Sequence, residues 1–328
     1  MAIRLREQTQ WPKARCHYTA FFGDNKAQGE AAAQVRTIAH VERHVGAEET
    51  NNIDEIMDSV TKDARFVVPV AEADGRTFHI ITTHEGVRQY YHDSRNQYEI
   101  VRSLHLKQIA TDWYVFYESM ATTRPVQVVD GARQVGGEQT GNSIVLFPTT
   151  RDGIVGEMPW SKFSGLAVEG AARAAEPASP LPMLQYRNTQ AHDRYLAGLQ
   201  AGDIDGALAL LTDDFLLATR NYYLAGGPFF SGRGKEAARK YLDAMSKSVD
   251  VLGITILNRI VHDWYVFAEL LFRVRQKGRL FGVQPTGAEF QVRTAAMHPM
   301  SQDGRIAGEV GYGTDMEKSL TAALRARG

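Results

Sequence analysis

Histidine is the residue type that this sequence concentrates. Seven of its ten histidines fall in the first third of the chain: His17, and after it His40, His44, His79, His84, His92 and His105. Imidazole titrates near neutrality, so it can serve as general acid or general base at physiological pH. His40 and His44 form HVERH, an i,i+4 pair on one helix face that could hold zinc with a third ligand from elsewhere. Glu42 in the middle of that pair breaks the H-E-x-x-H order of a metalloprotease, and no metal is expected. The single cysteine, Cys16, excludes an internal disulfide and a cysteine zinc cage. There is no G-x-G-x-x-G after a strand, no Walker loop and no G-x-S-x-G elbow, so no cofactor is expected either. In the C-terminal half the polar candidates are Tyr195, Arg220, Asn221 and His262. Arg220 and Asn221 follow the strand-like FLLAT, where a guanidinium and an amide could hold a carboxylate or phenolate. His262 stands at a turn ahead of DWYVF and reads as a surface residue.

The elements that must position these residues come in two copies. DWYVF occurs at Asp112–Phe116 and again at Asp263–Phe267, an offset of 263 − 112 = 151. The same offset joins NIDEIMDSVTKDARFVV to DIDGALALLTDDFLLAT, and Asp152-Gly153 to Asp303-Gly304. Three anchors with one offset predict a tandem duplication of a unit of about 140 residues. The boundary falls in GLAVEGAARAAEPASPLPM, whose Pro177, Pro180 and Pro182 prevent a continuous helix. The expected organisation is a tail over 1–14, a first domain over 15–164, a linker over 165–183, and a second domain over 184–328 with a short C-terminal tail.

Within each unit the periodicities run in the same order. Tyr195, Leu196 and Leu199, then Ile204, Leu208 and Leu211, recur at helical spacing with Gly202 between them. A short strand, a Gly-rich loop and a third helix, GKEAARKYLDAM, follow; the remainder is strand-like, with Asp303-Gly304 as a hairpin turn. Helices first and a meander afterwards predict an α+β fold with antiparallel sheets.

Composition bounds the partners. Lys plus Arg is 37 and Asp plus Glu is 38, a formal charge of −1, which argues against a nucleic-acid or membrane-surface protein. Val249–Leu257, the longest apolar candidate, is broken by Asp250, so no membrane span is expected. MAIRLREQTQWPKARC carries charges without an apolar h-region, and a cytoplasmic location is expected.

The helical opening that ends in GDIDGALALLTDDF, the GKEAARKYL helix and the strands closing on DGRIAGE resemble the nuclear-transport-factor-2-like (NTF2-like) superfamily. Its SnoaL-like and ketosteroid-isomerase-like branches are the nearest, and the resemblance spans both repeats. It implies two tandem cones, each a curved antiparallel sheet wrapped around N-terminal helices, with an apolar pocket open at one end. It also implies that the convex sheet faces pair, here as an intramolecular pseudo-dimer in which Tyr114 and Phe116 recur as Tyr265 and Phe267. Further association into a homo-oligomer is left open.

The resemblance assigns roles to positions. The oxyanion-donor place of the isomerases holds His44 in the first repeat and Tyr195 in the second; the general-base place holds Val68 and Thr219, neither able to abstract a proton. A late-strand carboxylic acid has no counterpart in SIVLF or QVRTAAM, and no Asp-Arg-Asp set for epoxide hydrolysis assembles. Dehydratases of the superfamily pair histidines with tyrosines. His44 and His105 are therefore expected to face one cavity, completed by Tyr117, with Tyr195, Arg220 and Asn221 binding substrate in the second cone. His105 has Ile256 at the equivalent repeat position, so the fold does not require it. The expected function is cofactor-independent acid–base catalysis on a small apolar or aromatic oxygenated molecule, a dehydration or retro-aldol elimination. The alternative is a non-catalytic small-molecule-binding or dimerisation module. Filling of the first cone by Trp113, Tyr117 or Phe147 would favour that alternative. A third option is one catalytic half supported by a degenerate half.

Overall fold

The structure is a computed structural model, and it describes residues 25–72, 75–129, 132–161, 180–219 and 230–326. The first repeat runs α1 (Asn25–Glu49), α2 (Ile53–Ser59), β1 (Val60–Glu72), β2 (Gly75–Ile81), α3 (His84–Gln97), β3 (Tyr98–Ala110), β4 (Tyr114–Val129), β5 (Ala132–Val135), β6 (Gln139–Thr150) and β7 (Gly153–Ser161). The second runs α4 (Leu181–Ala201), α5 (Ile204–Ala209), β8 (Leu211–Thr219), β9 (Phe230–Arg233), α6 (Gly234–Ser248), β10 (Val249–Val261), β11 (Tyr265–Gln276), β12 (Glu289–Pro299), β13 (Ile306–Gly313) and α7 (Met316–Arg325).

Local chemistry sets the helix ends alike in both repeats. Asn52 caps α2 by accepting from the Glu55 amide, and Asp203, 151 residues on, caps α5 by accepting from Gly206. Helix α4 begins at Leu181, inside the stretch read as linker: a proline in the first turn loses no hydrogen bond, so Pro182 starts the helix instead of blocking it. Gly202, at φ 68°, ends α4 in the left-handed conformation. The stretch read as a C-terminal tail belongs to α7 as far as Arg325, held down by buried Met316 and Leu320.

The first sheet orders its strands β2-β1-β7-β6-β4-β3, with β5 added on β4; the second orders them β10-β11-β12-β13-β8-β9, the same path read backwards. Two sheets of like topology, each with its own helices, thus follow one another in tandem, the arrangement that the resemblance to NTF2-like cones implies. The expectation of purely antiparallel sheets needs correction at one ladder in each: β1 pairs β7, and β13 pairs β8, in parallel. The meander brings its last strand back beside the first strand in the same direction, and Gly156 and Gly308 permit the close approach. Curvature comes from repeated bulges. Register shifts at Ile100/Arg102 and His105/Lys107 in β3 recur 151 residues later at Val251/Gly253 and Ile256/Asn258 in β10.

Each cone has an apolar interior, and a third cluster lies between the sheets. Tyr114, Phe116, Tyr265 and Phe267 are fully buried there, with the rings of Phe116 and Phe267 stacked at 4.1 Å. The polar contacts across it are reciprocal. Tyr114 Oη donates to Glu269 at 3.0 Å and Tyr265 Oη donates to Glu118 at 2.7 Å, each residue 151 from its counterpart. Lys107 and Arg293 neutralise the two buried carboxylates at 3.0 and 2.7 Å. No helix among the described residues is long and apolar enough to cross a membrane.

Candidate functional site

The long helix α1 turns Thr37, Val41, His44 and Ala47 inward at three- and four-residue spacing, so the sequence that buries the helix also buries His44. Around its imidazole stand Ser59 from the end of α2, Tyr91 from α3 and Glu157 from β7. The hydrogen bonds determine where the protons sit. Ser59 Oγ gives its hydrogen to the Ile56 carbonyl at 2.5 Å, so it accepts from His44 Nδ1 at 2.7 Å. Tyr91 Oη gives its hydrogen to Glu157 Oε2 at 2.6 Å, so it accepts from His44 Nε2 at 2.9 Å. Both ring nitrogens are donors, which makes His44 an imidazolium. Burial lowers its pKa, but the Glu157 carboxylate 3.4 Å from Nε2 and the charge of Glu48 outweigh that, and the value is raised. Glu48, one helical turn on and 3.9 Å from Nε2, is pushed up to about 7 by burial and by the Glu157 charge, against the pull of His44 and Arg95. Burial, reinforced by the two carboxylates, drives the Tyr91 phenol far upward and keeps it a proton donor.

The structure brings His105 and Tyr117 together, with ring centroids at 4.7 Å, and keeps them from direct contact with His44. Phe147 stands between: 5.6 Å from the His44 ring and 6.2 Å from Tyr117. Tyr117 and Phe147, each 2% exposed, pack with Val41, Val115 and Ile154 and fill this part of the cone. Burial lowers the His105 pKa and raises that of Tyr117. The Tyr117 hydroxyl is buried and has no hydrogen-bond partner among the described residues. Trp113 turns instead toward the second sheet, donating to Glu269 at 3.3 Å beneath Arg293.

The other histidines divide simply. His40 and His84 bond the backbone carbonyls of Arg151 and Met57, and His79 and His92 are exposed. His40 and His44 thus share no ligand. The grouping with metal-ligand spacing among the described residues is His44, Glu48 and Glu157, whose donor atoms lie within 4.8 Å of one another. The Tyr91 hydroxyl stands among them and bridges His44 to Glu157 by hydrogen bonds. His262 stacks on Tyr265, 5.7 Å between centroids, at the edge of the sheet–sheet contact.

In the second cone Tyr195 takes the place of His44 and donates to Glu309 Oε2 at 2.8 Å. His298, on β12, lies 3.5 Å from Glu309 through Nε2, and its ring centroid is 6.0 Å from that of Tyr195. Arg220 and Asn221 lie outside the described residues. Glu157 and Glu309 correct the expectation that no late-strand carboxylate is present. They occupy the strand after the two that were searched, in GIVGE and RIAGE, directly behind the repeated Asp-Gly turn that would have found them.

Residues 192–309 match the model of the SnoaL-like domain. The second cone is SnoaL-like. No curated relative matches the chain. Among solved structures the chain is similar to a candidate polyketide cyclase of Xanthomonas campestris pv. campestris, 19% identical over 43% of this chain and 98% of that one, TM-score 0.35. It is also similar to an LEH-like epoxide hydrolase of M. tuberculosis, 22% identical over 43% and 95%, TM-score 0.34. A third is TsrD from Streptomyces laurentii, 20% identical over 43% and 96%, TM-score 0.34. The SnoaL-like cone presents a Tyr–Glu–His set where the first cone presents His–Tyr–Glu, so each holds a buried carboxylate with a phenol donating to it. A surface cavity of the SnoaL-like cone, lined by Gly202, Met245, Val251 and Lys277, contains none of these groups.

Proposed function

We propose that the protein is an acid–base enzyme acting on a small apolar or aromatic oxygenated molecule, by an elimination of the dehydratase or retro-aldol type. The observation that carries this is that two imidazoles of one cone stand in unlike surroundings: His44 donates from both ring nitrogens beside Glu157 and Glu48, which raise its pKa, and His105 lies against the Tyr117 ring, where burial lowers its own. Two like groups pushed apart in this way divide into acid and base. His44 supplies the proton through the Tyr91 hydroxyl, which turns its hydrogen from Glu157 to the substrate and is refilled from Nε2–H, to the oxygen that leaves as water or to the carbonyl oxygen that becomes an enol. His105 accepts the proton that the substrate gives up, from the carbon beside the carbonyl in a dehydration or from the β-hydroxyl as the carbon–carbon bond breaks in a retro-aldol cleavage, and the adjacent Tyr117 hydroxyl orients the substrate oxygen. A molecule reaching both groups displaces the Tyr117 ring.

The test is a panel of β-hydroxy ketones and ring alcohols, followed by the absorbance of the unsaturated product. His44→Gln and His105→Gln should each lower turnover roughly 10²–10⁴-fold with the fold retained. His105→Gln should also remove the acidic limb of the pH profile, since a neutral base is lost below its pKa. Unchanged turnover in both variants overturns the assignment. The second reading, a binding module, is favoured by one observation: Tyr117 and Phe147 fill the cone between the two imidazoles. Ligands that bind the wild type without any turnover would select it.

A further inference from the structure

We propose that the second cone holds a separate binding site for a small neutral molecule bearing a hydroxyl or carbonyl oxygen, gripped by His192 and His298. The two imidazoles are 0% and 1% exposed, with ring centroids 4.9 Å apart, one on α4 and one on β12. Neither nitrogen of His192 and not Nδ1 of His298 has a hydrogen-bond partner among the described residues. Buried polar atoms are ordinarily satisfied, and leaving three unsatisfied is costly unless something else binds them. Nothing in the fold demands imidazole at either place. The positions 151 residues earlier hold Val41 and Phe147, which pack in the apolar interior of the first cone. Two polar side chains have therefore been placed where the same architecture accepts apolar ones.

The chemistry of the grip defines the ligand. His192 offers two unpartnered ring nitrogens and His298 offers Nδ1, so together they match a hydroxyl, which both donates and accepts, or a carbonyl oxygen. Burial, the neighbouring His298 and Arg259 together hold His192 well below its ordinary pKa, which keeps it uncharged and disfavours an anion. Glu309, 3.5 Å from His298 Nε2 and already accepting from Tyr195, adds further negative charge at the site's edge. Val266 faces His298 across the β11–β12 ladder, Ala191 and Leu196 neighbour His192 along α4, and all three are buried apolar residues of the same cone. This site shares no residue with the His44 centre and stands or falls independently of the activity proposed above.

Phenol is a fitting probe, with benzene as the control that has the ring without the hydroxyl. The full chain, labelled at histidine, is titrated with each while the ring resonances are followed by NMR. Phenol should shift the His192 and His298 signals saturably, and benzene should bind at least tenfold more weakly. His192→Val and His298→Phe, which install the first cone's residues, should each weaken phenol binding at least tenfold and leave the melting temperature equal or higher. Equal affinity for phenol and benzene would overturn the site, as would no binding of either. Wild-type phenol affinity in both variants, or a lower melting temperature in both, would make the imidazoles structural and overturn it too.

Discussion

Glu48 controls the charge of the first cone. Its carboxyl is held near 7, beside a protonated His44 and a buried Glu157. A carboxyl whose folded pKa is raised keeps its proton in the folded chain at pH values where the unfolded chain has lost it. Stability therefore falls as pH rises from the ordinary carboxylate range toward 7, and levels off above. His44, also raised, contributes stability below its unfolded pKa that is lost as pH climbs through the folded one, so both groups act in the same direction. Glu48→Gln removes the first contribution. Wild type and variant should be about equally stable near pH 5, and the variant should be more stable by about 1–2 kcal/mol at pH 8, less than the full shift would give because a fifth of the side chain is exposed. Urea denaturation at the two pH values measures this; a variant less stable than wild type at pH 8 would refute it. At this scale His44 was legible in the sequence because repeat and family position coincide on it. Glu48 and Tyr91 were not, since one is another exposed-looking helix glutamate and the other is a tyrosine beside a tyrosine until α3 is laid against α1.

Elements explain why the carboxylates were missed and what positions them. Glu157 and Glu309 are 152 apart, one more than the offset that aligns the other anchors, so a comparison at fixed offset sets Glu157 against Gly308. Only the strand ladders bring them into register, Phe66 facing Glu157 and Leu217 facing Glu309 across the parallel pairs. The order of helices and strands, by contrast, follows from periodicity and turn residues, and the α+β reading needed only the parallel ladder added. That ladder depends on the glycine before each glutamate. A Cβ on Gly156 would stand 2.7 Å from the Arg65 carbonyl, and one on Gly308 would stand 3.0 Å from that of Leu216. Gly156→Ala must move β7 away from β1 and carry Glu157 with it. It should cost about 1–3 kcal/mol and lower the His44 pKa by weakening the Tyr91–Glu157 bridge. Gly308→Ala, with the looser contact, should cost less. Denaturation midpoints with an NMR titration of His44 read both effects, and equal costs with an unmoved His44 would remove the glycine from the argument.

At the scale of the whole molecule, the DWYVF repeat that revealed the duplication also supplies the contact between its halves. Alternation along β4 and β11 sends Tyr114, Phe116 and Glu118, with Tyr265, Phe267 and Glu269, to the convex faces, and Val115 with Val266 to the cone interiors. The reciprocal Tyr114–Glu269 and Tyr265–Glu118 bonds are what a twofold subunit interface produces. We read the packing as such an interface closed within one chain, an intramolecular pseudo-dimer. If so, covalent connection is dispensable. Residues 1–161 and 180–328 expressed together as two chains should purify as a one-to-one complex by light scattering. Each expressed alone should self-associate or precipitate, because a lone half exposes a contiguous apolar face. Phe267→Ala should weaken the split complex most, since it removes the ring stacked on Phe116 at 4.1 Å; truncating a buried Phe costs about 3–5 kcal/mol, a loss of well over a hundredfold in affinity. Tyr265→Phe should cost less, because it keeps the ring and removes only the hydroxyl that serves Glu118. Two halves that are each monomeric and soluble, and that ignore one another when mixed, would show that the sheet faces do not hold the molecule together.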